Sequence, residues 1–115
     1  MADIENYSPD TLIAGDHPLV SMSVTVTGGN YARGTLMGRK STGEFTISDD
    51  AASDGSETPV AILAVDCDAS AGDVTGQVYL CGEFDEQAVT YGGNHTADTV
   101  RWGLTTQSIY LKKTV

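Results

Sequence analysis

Basic residues are almost missing from this sequence. Its 115 residues include six Lys and Arg against sixteen Asp and Glu, for a net charge of −10. None of the six falls within residues 1–32 or 41–100; they are Arg33, Arg39, Lys40, Arg101, Lys112 and Lys113. Nucleic-acid binding by counterion release needs a basic patch, and this distribution excludes it. Adsorption to an anionic membrane is excluded for the same reason. Large apolar side chains are scarce too: Phe occurs twice, Trp once, and eleven of the apolar residues are Ala. A single domain of this length buries roughly two-thirds of its unfolded surface. Core material is therefore thin, and association between copies is one way to supplement it.

Catalytic chemistry is the next absence. There are two histidines, His17 and His95, and neither belongs to a nucleophile pattern. The chain has no Gly-x-Ser-x-Gly, no phosphate loop and no Gly-x-Gly-x-x-Gly. The carboxylate pairs Asp66/Asp68 and Glu83/Asp85 lack a sugar platform around them. The expectation is a protein that is not an enzyme, with no catalytic residues and no cofactor. Cys67 and Cys81 have no nearby His pair to make a zinc site, and both sit in apolar strand contexts. They read as reduced, small core residues. The first residues show neither a basic leader nor an apolar stretch, so the expectation is synthesis in a cytoplasm without a membrane span.

What is present begins with Pro59-Val60-Ala61-Ile62-Leu63-Ala64-Val65, the longest unbroken apolar run. It is too long for a one-sided surface strand and too short for an ordinary helix. Ser53-Asp54-Gly55-Ser56 before it reads as a turn, and a leading proline suits a strand start. The run predicts a strand buried on both faces at the centre of the core.

The rest of the chain reads mostly as β. Met22, Val24 and Val26 alternate with Ser and Thr, and Gly28-Gly29-Asn30 turns the chain. Residues 35–39 and 44–47 form strands joined by a turn at Lys40-Ser41-Thr42-Gly43. Residues 66–72 form a loop and 74–81 a further strand, with residues 82–86 and 88–91 after it. Thr96 is an N-cap candidate for a short helix over 97–106, with Ala97, Val100 and Leu104 on one face. Residues 108–111 form a last strand.

The acidic loop at 48–58 is the best metal candidate. Asp50, Asp54 and Gly55 match positions one, five and six of a calcium loop. The third position is Ala52 and the twelfth is Ala61, so the EF-hand pattern fails and no metal site is assigned.

Residues 1–20 lack periodicity. They carry Asp3, Glu5, Asp10 and Asp16 with spaced apolar residues, among them Tyr7, Leu12, Ile13 and Leu19. A frayed terminus and an arm that orders on a partner by strand addition are both compatible with this composition. The domain reading is an extended arm over 1–20 and a β-rich domain over 21–115.

Four segments in order resemble the head decoration, or capsid cement, proteins of lambda-like tailed phages. They are Leu12-Ile13-Ala14-Gly15-Asp16 with the β segment after it; Arg33-Gly34-Thr35-Leu36-Met37-Gly38; the stretch from Ala52-Ser53-Asp54-Gly55 through Ala64; and Gly82-Glu83-Phe84, Tyr91-Gly92-Gly93-Asn94-His95-Thr96 and Ile109-Tyr110-Leu111. Trp102, Gly103, Cys67 and Cys81 depart from that pattern. The resemblance implies a small β-clip or barrel-like domain with one short C-terminal helix and an extended N-terminal arm. It implies a homotrimer on the capsid exterior of the virion, made in the host bacterial cytoplasm. That trimer binds the major capsid protein at threefold and quasi-threefold positions of the expanded head and stabilises it against packaged DNA. The arm contacts expected are Tyr7, Pro9, Leu12, Ile13, Pro18 and Leu19. Trp102, with Arg101 beside it, stands open between core and trimer contact. The competing reading is a β-rich calcium-dependent binding or adhesion module of a virion or cell surface, using residues 49–57.

Overall fold

The computed structural model describes residues 12–15 and 18–113. Among these the chain forms eight strands: β1 (Val20–Val26), β2 (Asn30–Tyr31), β3 (Leu36–Arg39), β4 (Phe45–Ile47), β5 (Pro59–Leu63), β6 (Cys67–Asp68), β7 (Val74–Asp85) and β8 (Ile109–Lys112). One α-helix, α1 (Ala97–Thr105), lies between the last two. The order β1-β4-β3-β5-β7 returns to its start because β7 also pairs with β1, so five strands close into a barrel-like sheet. β8 extends this sheet beyond β7, while β2 and β6 form a small separate ladder. The fold is mainly β with one short helix near the C-terminus, as the residue pattern predicts.

The central run forms β5, with Ile62 and Leu63 fully buried. Its neighbours show why both faces are covered. Leu36 of β3 lies opposite Ile62, and Met37 lies opposite Ala61. Successive strand residues face opposite sides, so these two pairs serve different clusters. Met37, Ala61 and Leu63 join Val26, Phe45 and Val78, and all five barrel strands contribute to this interior. Leu36 and Ile62 join Phe84 with Val100 and Leu104 of α1 and Ile109 and Leu111 of β8. The second cluster is thus a layer between the sheet's outer face and the helix.

The helix forms where its cap is. The Thr96 hydroxyl accepts from the Thr99 N–H and the Thr99 side chain returns to the Thr96 backbone, completing a capping box. Val100 and Leu104 are buried and Ala97 packs partly against the same cluster. Gly103 and the threonines are weak helix formers, so the helix depends on this apolar contact.

Four features differ from the sequence expectation, the first being that β5 ends at Leu63 and leaves Val65 exposed. β7 does not stop at Cys81; it passes through Gly82 to Asp85 and pairs in parallel with β8, Gly82 opposite Ile109. Gly82 has φ +147°, and a Cβ there would sit 2.5 Å from Leu19 Cδ2, so glycine is what lets the strand continue under that side chain. The ladder of β2 and β6, Tyr31 opposite Cys67, is two residues long and carries no periodic signal. Cys67 is buried as expected, whereas Cys81 is half-buried.

Because Ile62 meets the helix layer on one side of a fully packed strand, Ile62→Ala should lower unfolding free energy by about 2–5 kcal/mol. Ile62→Asp should abolish the cooperative transition. Urea titration followed by far-UV circular dichroism measures both. A near-wild-type midpoint for Ile62→Asp would contradict the two-sided burial of β5.

Candidate functional site

The described part of the chain begins with a β-bridge. Ile13 bridges Phe84 in antiparallel sense. The Ala14 N–H donates to Glu83 O at 2.9 Å, and the Asp85 N–H donates to Leu12 O at 2.8 Å. Residues 12–14 therefore lie along the far half of β7, on the side opposite β8. Leu12 is 2% exposed and belongs to the helix-side cluster; Ile13 packs partly against it. The two residues expected to grip a partner are, in this structure, holding the arm's root to its own domain. Tyr7 and Pro9 lie outside the described residues. Pro18 accepts from the Cys81 thiol at 3.4 Å through its carbonyl, and Leu19 lies over Gly82 with 42% of its surface exposed.

Arg101 and Trp102 are neighbours with opposite roles. The Arg101 guanidinium donates to Leu111 O at 2.6 Å and to Glu86 Oε1 at 2.7 Å, and lies 3.4 Å from Asp98 Oδ1. It ties α1 to β8 and to the 3-10 turn at Glu86–Ala88. Its hydrogen bond to Glu86 raises its pKa above the ordinary arginine value. Trp102 is 74% exposed, so it is not a core residue of this chain.

The acidic loop uses its carboxylates on itself. Asp49 accepts from the Ala51 N–H, Asp54 from the N–H and hydroxyl of Ser56, and Glu57 from the Gly55 N–H. Gly55 has φ +103°, which the turn requires and only glycine adopts without strain. Asp50 accepts from the Asn94 N–H at 2.8 Å, tying the loop to the segment before α1. Among the described residues, no group of three or more His, Cys, Asp or Glu is placed to hold a metal ion.

His95 lines a groove of about 270 Å³ beside Pro59, Thr99 and Gly103. Its Nε2 lies 3.1 Å from Glu57 O and 3.2 Å from Ser48 Oγ. A carbonyl only accepts, so the contact with Glu57 O is a hydrogen bond in the tautomer that carries its proton on Nε2. In that tautomer Nε2 does not take a proton from Ser48, whose side chain is fully buried. No helix among the described residues is long and apolar enough to cross a membrane.

Among the described residues the exposed large apolar side chains are Leu19, Val20, Met22, Val65, Val74 and Trp102. Sequence reasoning singled out Leu19 and Trp102, and both side chains are exposed. It missed that Leu12 and Ile13 are already committed, because an apolar pair looks the same whether its receiver is β7 or another chain.

Hydrogen bonds from Ser56 hold the Asp54 carboxyl below the ordinary aspartate range, and the Asn94 N–H does the same for Asp50. A carboxyl whose pKa is lower folded than unfolded stabilises above its unfolded value, near about pH 4. That contribution is lost as pH falls through the folded value. The melting temperature should therefore hold at neutral pH and decline below about pH 4. Asp54→Ala should lower it at pH 7 and shrink the acid decline. Scanning calorimetry across pH checks this, and an unchanged acid profile in Asp54→Ala would refute it.

A family model described as bacteriophage lambda head decoration protein D matches residues 2–104. No curated protein gives a match.

Proposed function

The chain belongs to the bacteriophage lambda head decoration protein D family, and from that membership we propose that it acts as a trimeric cement. Its role is decoration of the phage head, and its place is the capsid of the virion. In our reading three copies bind together at threefold and quasi-threefold positions of the expanded shell, contact the major capsid protein, and resist the pressure of packaged DNA.

The observation that carries this reading is the extent of the match, which runs over arm and barrel together. The physical mechanism is mass action. A ligand that binds the expanded lattice and not the compact one stabilises the former by its differential affinity. At a hundredfold excess over Kd this is about 2.7 kcal/mol per site. A trimer spanning several subunits adds avidity, because its second and third contacts form at high effective concentration.

The arm's root supports a refinement. Leu12 and Ile13 serve as the hinge post that fixes where the arm leaves the barrel. Residues 1–11, with Tyr7 and Pro9, are the part that reaches the shell, assisted by exposed Pro18, Leu19 and Trp102. Arg101 acts by holding Trp102's helix in place.

Co-sedimentation with expanded and unexpanded heads of the parent phage tests the proposal. The full chain should pellet with expanded heads only. Deleting residues 1–11 should leave thermal unfolding near that of the full chain and remove most head occupancy. Saturation of expanded heads by the truncated protein would overturn the arm's role; failure of the full chain to bind either form would overturn the cement reading.

A further inference from the structure

Among the described residues the first half of β1 is bonded on one edge only. It pairs with β7 from Val20 to Val26, whereas its other neighbour, β4, meets it at a single pair, Val26 opposite Phe45. There the Thr27 N–H donates to Phe45 O at 2.9 Å. Backbone groups alternate in direction along a strand, so those of Ser21 and Ser23 point the same way as those of Thr27, away from β7. Among the described residues no strand pairs with that edge over residues 20–25.

Proteins usually guard such an edge with charge, a proline, or a covering element. Here no Asp, Glu, Lys or Arg occurs from Pro18 to Ala32, and none occurs in residues 74–82 of the flanking strand. No proline lies within β1. The surface is also partly apolar and open to solvent. Val20 is 49% and Met22 50% exposed, and the side chains of Ser21, Ser23, Thr25 and Thr75 are exposed as well. In a chain with sixteen carboxylates, this ribbon of two adjoining strand segments is charge-free.

We infer that the open edge of β1, with the uncharged ribbon around it, is where one copy of this chain meets another. The inference rests on the self-association proposed above and assigns its surface. Charge selects the occupant. Two copies each carry −10 and repel at a distance. They can come into dry contact at low cost only where neither brings a carboxylate, and the buried centres of interfaces are depleted of charge for this reason. A partner of opposite charge would be met through the acids instead. In a ring of three, the β1 surface of one copy meets a different surface of the next, since edge-to-edge pairing of β1 with itself closes a two-fold dimer.

Two variants test this: Ser21→Glu combined with Ser23→Glu, and Thr75→Glu on the adjoining strand. Ala51→Glu, in the exposed acidic loop, is the control. Each is measured by light scattering for mass and by circular dichroism for fold. The wild type and the control should give a trimer mass at micromolar concentration, and the β1 and Thr75 variants a folded monomer with dissociation raised at least tenfold. A wild-type trimer with variants that also remain trimeric would overturn the β1 surface and leave the cement reading standing. A wild-type dimer that the variants dissociate would support the surface and overturn the ring of three. A monomeric wild type would overturn both. Thr75→Glu lies outside β1, so it decides the matter if the double variant fails to fold.

Discussion

Burial of β5 on both of its faces is the interaction on which the rest of this structure depends. A chain with few large apolar residues cannot build two independent cores. It uses one sheet twice, with Ala61 and Leu63 filling the barrel and Ile62 supporting the helix layer. Every other element is placed by one of these two surfaces. β1, β3, β4 and β7 close around the first, and α1 and β8 exist as ordered elements because the second gives Val100, Leu104, Ile109 and Leu111 somewhere to go. Loss of β5 would remove both supports together, which makes the domain a single cooperative unit.

Much of this was legible in the residues themselves. Alternation placed β1 and β4, neighbouring glycines placed β3, an unbroken apolar run placed β5 though it ends two residues early at Leu63, and the Thr96 cap placed α1 to within a residue of its end. What escaped was whatever depends on a distant partner. β7 continues past Gly82 because β8, contributed from beyond the helix, runs alongside it. The strands β2 and β6 are too short to show a period. Leu12 was readable as an anchor, but its receiver is the helix-side cluster of its own chain. Trp102 could be assigned to neither core nor surface from sequence, because a lone aromatic at a helix position has no phase of its own; its 74% exposure decides it.

The charge distribution and the fold act together. Carboxylates concentrate in turns, where their hydrogen bonds to nearby N–H groups fix backbone geometry, as at Asp49, Asp54 and Asp68. Acidity here is thus a structural device in the loops, beyond its general effect on solubility. Arg101 is the counterexample in sign, a cation spent on bonding the helix to β8 and the 3-10 turn. Of the strands, β1, β2, β4 and β5 carry no charge at all, and the charged residues of β7, Glu83 and Asp85, lie beyond Gly82 at its far end.

The β-bridge at Ile13 has a mechanical meaning. Any tension applied through the first eleven residues enters the domain there, and its two backbone hydrogen bonds to β7 run across the line of the strand. A pull along the strand loads them together in shear instead of opening them one at a time like a zipper. Behind them stands β7, twelve residues long and bonded to β1, β5 and β8. Force entering at residues 12–14 is spread at once over the longest strand of the sheet.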